Sequence, residues 1–73
     1  MDKSAKELFK ELGYKKDEYS KCICYYNPNE VNDEIVFYLE NRTFNRDYYG
    51  HGNAIDMPVL KAINKQCEEL GWM

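Results

Sequence analysis

The chain has 73 residues, with 10 Lys plus Arg against 13 Asp plus Glu, a formal net charge of −3 and a pI near 5.0. A chain of this length builds one domain, removing roughly 60% of its unfolded surface from water, and its acidic balance excludes the basic footprint of a typical nucleic-acid binder. The sequence contains no apolar run near the ~20 residues of a membrane-spanning helix, while 44% hydrophobic and 15% aromatic content argue against disorder.

A helix is predicted from Ser4. Ser4-Ala5-Lys6-Glu7 has the form of a capping box, in which hydroxyl and carboxylate each satisfy an orphaned backbone N–H. Ala5, Leu8, Phe9 and Leu12 then recur at i, i+3, i+4 and i+7 as one apolar stripe. Gly13 ends the helix in the left-handed conformation, which places Tyr14 back over Phe9 in a Schellman cap. Lys15-Lys16-Asp17-Glu18 reads as a charged connecting turn.

Tyr19 to Tyr26 is predicted as a first strand, with Cys22, Cys24 and Tyr26 on one face and Ile23 and Tyr25 on the other. The alternation leaves open which face is buried. Asn27 to Asp33 holds the densest turn chemistry in the chain and joins this strand to the central one. The central strand, Glu34 to Leu39, combines high β propensity with strict alternation: Ile35, Phe37 and Leu39 face the core, Val36, Tyr38 and Glu40 the other side. Asn41-Arg42 makes a tight hairpin into a third strand, Thr43 to Tyr48. That hairpin pairs Leu39 with Phe44, Phe37 with Arg46 and Ile35 with Tyr48. The Arg46 stem should then lie over Phe37, with its head at the sheet edge or on a carboxylate. After the link Tyr49 to Ala54, Asp56 caps a second helix with Pro58 in its first turn, and Leu60, Ile63, Cys67 and Leu70 form its apolar stripe. Leu70-Gly71-Trp72 repeats the ending Leu12-Gly13-Tyr14, so Trp72 should fold back onto Cys67.

The expected fold class is α+β: a small α-β-β-β-α domain, a three-stranded antiparallel sheet with two helices on one face and the other face open.

Residues suited to catalysis are few. His51 is the sole histidine and sits between two glycines, without the fixed surroundings a general base requires. Cys22, Cys24 and Cys67 lack the close knuckle spacing of a zinc site, and an odd cysteine count without a framework fits a reducing compartment. The reading is therefore of a chain that is not an enzyme and holds no metal or cofactor. Surfaces remain. Seven tyrosines suit an interface, and Tyr25, Val36, Tyr38 and Tyr49 are the candidates for binding a partner through the sheet, by its open face or an edge strand. Glu68 and Glu69 occupy the last turn of the second helix, where the dipole disfavours anions. Beside Trp72 they form a second candidate, an acidic surface for a basic partner. The two sheet edges also invite pairing as a homodimer.

Leu60-Lys61-Ala62-Ile63-Asn64-Lys65-Gln66-Cys67-Glu68-Glu69-Leu70-Gly71-Trp72, together with Glu7-Leu8-Phe9-Lys10-Glu11-Leu12-Gly13-Tyr14, resembles a family of short proteins encoded by phages and prophages of Gram-positive bacteria. With the central strand the likeness spans nearly the whole chain, and the stretch Asn45 to Asn53 departs from it. The resemblance implies a phage accessory protein in the bacterial cytoplasm that binds and inhibits or redirects a host protein, a class that includes anti-CRISPR and other counter-defence proteins. It supplies no site residues. The alternative expectation is a small nucleic-acid-binding protein in phage gene control, with tyrosines stacking bases; the missing basic groove argues against it.

Overall fold

The computed structural model describes residues 3–30, 32–48 and 54–73. In chain order these form α1 (Ala5–Glu11), β1 (Lys15–Glu18), β2 (Cys22–Tyr26), β3 (Asp33–Tyr38), β4 (Thr43–Tyr48) and α2 (Met57–Glu69). The strands make one antiparallel meander, β1-β2-β3-β4.

Both helices begin and end as their local sequence dictates. Ser4 accepts from the Glu7 N–H and Glu7 reaches back to Ser4, closing the capping box, and Asp56 caps α2 by accepting from the Val59 N–H at 3.0 Å. At the other ends, Tyr14 N–H donates to Phe9 O and Trp72 N–H to Cys67 O, each at 2.9 Å. Gly13 and Gly71 sit at φ +94° and +75°, so both helices close in the same Schellman geometry. The rings follow their backbones: Tyr14 meets Phe9 edge-on at 5.9 Å, and Trp72 lies 6.3 Å from the Phe37 ring.

One face of the sheet carries the core. Ile23, Tyr25, Ile35 and Phe37 are buried there against Ala5 and Phe9 of α1 and Val59, Ala62, Ile63 and Cys67 of α2. Phe9 stacks on Tyr25 with ring centroids 3.9 Å apart, and the Tyr25 hydroxyl donates to Gln66 Oε1 at 2.5 Å, so each helix is anchored to the same strand.

Three features differ from the sequence reading. Lys15–Glu18 is an edge strand, giving four strands instead of three. It pairs along its whole length with β2, and its charges suit an edge, where they block pairing with other chains. Lys16 lies over the Tyr25 ring and pairs with Glu18 at 2.7 Å. Tyr19, expected within a strand, is in the β1–β2 turn and 60% exposed. The β3–β4 hairpin closes through four residues, Leu39 to Arg42, with Arg42 at φ 55°. Its register therefore slips by two, pairing Phe37 with Phe44, Ile35 with Arg46 and Asp33 with Tyr48. A slip of two keeps every side chain on its expected face.

The slip decides where Arg46 goes. It sets Arg46 opposite Ile35 instead of Phe37, and of the two places expected for its head the carboxylate holds: Nη1 turns inward to lie 2.6 Å from Asp33 Oδ1 and 2.9 Å from the Tyr14 hydroxyl, with all three residues buried. Tyr14 donates to the same Asp33 oxygen at 2.7 Å, and Arg46 Nε donates to Ala54 O. An Arg buried in this way requires such a partner. The carboxylate comes from Asp33, which opens β3 and had read as loop.

Candidate protein-binding face

The helices leave the opposite face of the sheet uncovered. There the strand register aligns three rows: Lys15, Tyr26, Glu34 and Asp47; Asp17, Cys24, Val36 and Asn45; and Cys22, Tyr38 and Thr43. Cys24, Val36 and Cys22 are half-buried by their neighbours, while Tyr38 is 41% exposed. Apolar groups thus run along β2 and β3 with carboxylates around them.

Burial pushes the Cys24 thiol up to about 11, and the negative charge of Glu34 adds to the shift. Cys24 is therefore a neutral thiol at physiological pH, donating to Glu34 Oε2 at 3.6 Å, and behaves as a small apolar group. At the β1 and β2 end of the face a shallow depression of about 370 Å³ is lined by Asp17, Cys24, Tyr26, Glu30 and Glu34, among others. No group of three or more His, Cys, Asp or Glu that could hold a metal ion occurs among the described residues.

Of the residues singled out in the sequence, Val36 and Tyr38 lie together on this face. Tyr25 does not. It is wholly buried under Phe9, because in β2 the face bearing the larger side chains, Ile23 and Tyr25, is the one the helices cover. Tyr49 and His51 lie outside the described residues. Glu68, Glu69 and Trp72 sit at the far end of α2, on the helix side of the sheet, so the two proposed surfaces do not merge. Each of the three has a contact within the chain. Glu69 Oε2 accepts the Ala5 N–H at 2.7 Å, Glu68 pairs with Lys65 at 4.0 Å, and half-buried Trp72 packs on the core. The Glu69 contact explains an anion in the last turn of α2: the carboxylate satisfies an orphaned donor at the start of α1.

The residues not singled out in the sequence are Asp17, Glu34 and Asp47. Glu34 was readable, since it alternates in phase with Val36 and Tyr38. Asp17 was not, because nothing local marks β1 as a strand.

A groove of about 660 Å³ between the helices has Leu8, Met57 and Leu60 as its apolar lining. Ion pairs of Lys3 with Glu11 and Lys65 with Glu68 line its rim, so its charges are largely matched within the chain. No helix among the described residues is long and apolar enough to cross a membrane. Comparison with protein-family models, curated proteins and solved structures returns no match.

Proposed function

We propose that this chain is a non-enzymatic accessory protein, of the kind carried by phages and prophages of Gram-positive bacteria, that binds a host protein and inhibits or redirects it, with counter-defence of the anti-CRISPR type as the biological setting. The observation that carries the binding reading is the uncovered sheet face, on which Val36, Tyr38, Cys22 and Cys24 form an apolar strip. A soluble fold gains nothing from exposing such a strip, and an apolar centre with a polar rim is how protein interfaces are built. The phage setting rests on the sequence resemblance alone.

The test is site-specific photocross-linking in a Gram-positive host, with the photoreactive residue at position 38 or, as control, at exposed Lys61 on α2. The reading expects one discrete cross-linked host protein from position 38, lost on competition by unlabelled chain. Equal or absent cross-linking at the two positions overturns it. The gene-control alternative finds no support in a face bordered by carboxylates, which repel phosphate; a gel shift at low salt, where phosphate attraction is strongest, decides it.

A further inference from the structure

Among the described residues, the carboxylates divide by location. On the helix side and at the turns each has a partner: Glu7 in the capping box, Glu11 with Lys3, Glu18 with Lys16, Asp33 with Arg46, Glu40 with Lys21, Asp56 at a helix cap, Glu68 with Lys65 and Glu69 on a backbone N–H. Asp17, Glu34 and Asp47 on the open face, and Glu30 at its rim, have no cationic partner among these residues. Glu34 has only the Cys24 thiol. Glu34 and Asp47 are also direct cross-strand neighbours, and like charges so placed destabilise a sheet. A local conflict without intramolecular compensation is characteristic of a functional surface.

We infer that the open face docks a basic and apolar segment of a partner protein, with a Lys or Arg between Glu34 and Asp47 and an aliphatic side chain on Val36 and Tyr38. This deepens the proposed function and rests on it. Charge complementarity selects the occupant. A phosphate backbone would meet the carboxylates, and a second copy would set two acidic faces together, each with Lys15 as the one cation in its rows. A basic segment relieves the Glu34–Asp47 repulsion. Glu34 and Val36 are two residues apart on one strand, about 6.6 Å. A cation and an aliphatic side chain at i and i+2 of an extended segment, or at i and i+4 of a helix, match that spacing.

The experiment is an NMR titration of the labelled chain with two synthetic peptides, one alternating Lys with Val and one helical with Lys and Leu four apart, and with their Glu-for-Lys counterparts. The expected result is that a basic peptide shifts amides of Tyr26, Glu34, Val36 and Asp47, and that its acidic counterpart shifts none. Glu34→Gln/Asp47→Asn should weaken binding about tenfold, as for two exposed ion pairs, while melting no lower than wild type. Glu11→Gln/Glu68→Gln makes the same change in net charge on the helix side and should leave binding intact. Equal weakening by both double variants reduces the effect to net charge and overturns the inference. So do binding by neither basic peptide, equal shifts with calcium alone, or open-face shifts that grow with protein concentration, which assign the face to a cation or a second copy. Position-38 cross-linking that persists undiminished in Glu34→Gln/Asp47→Asn would remove the basic segment yet keep the binding protein; its absence in wild type would remove both.

Discussion

Replacing Glu69 with Ala separates a structural role for this residue from a role in partner binding. The substitution leaves the Ala5 N–H, on a fully buried residue, without an acceptor, at about 1–3 kcal/mol. It also removes an anion from the positive end of α1, about 0.3–1 kcal/mol, and a similar amount returns because the anion leaves the negative end of α2. Glu69 is itself exposed, so solvent softens the total to about 1–2 kcal/mol. At about 4–8 °C per kcal/mol for a domain of this size, Tm should fall by roughly 4–16 °C. Glu68→Ala loses only a long, exposed pair with Lys65 and should stay within about 0.5 kcal/mol of wild type. Thermal and urea unfolding of both variants, followed by circular dichroism, make the comparison. Equal stability of the two would refute the interhelical cap and return Glu69 to the surface candidates.

Arg46→Ala strands the Asp33 carboxylate in the core with only Tyr14 and Asn27 beside it, a loss of about 3–5 kcal/mol from a total near 4–11 kcal/mol. Urea unfolding should show a much reduced midpoint, and Arg46→Met/Asp33→Leu should recover part of it; an unchanged midpoint in Arg46→Ala contradicts a buried ion pair. Alkaline pH should unfold the chain through its buried phenols. Burial and the hydrogen bond to Asp33 raise Tyr14 to about 12, and burial raises Tyr25 as well. Both lie above the ordinary value near 10, so their contribution is complete below pH 10 and is lost as pH rises toward 12. Phenolate absorbance should show two tyrosines ionising only together with unfolding; if all seven titrate near 10 in the folded chain, the burial argument fails.

Signals that act within a few residues were legible in the sequence. The capping box at Ser4, Asp56 before Pro58, the two Gly caps and the alternation of Ile35 to Phe37 each involve neighbours no more than about one helical turn apart, and each is found in the fold. The two-helix α+β class followed from them, as did the placement of Val36 and Tyr38 together on one face. What tertiary structure decided is every feature that depends on a distant partner. Lys15 to Glu18 has the composition of a turn and is a strand because β2 supplies its hydrogen bonds. Tyr25 and Tyr26 are adjacent tyrosines, and the helices, through Phe9 and Gln66, decide that Tyr25 is the buried one. Asp33 reads as loop chemistry until the hairpin register brings Arg46 to it, and Glu69 reads as a misplaced anion until α1 lies alongside with a free N–H. Charges have no periodicity of their own. Their meaning is fixed by what they face, and for Glu34 and Asp47 that is each other.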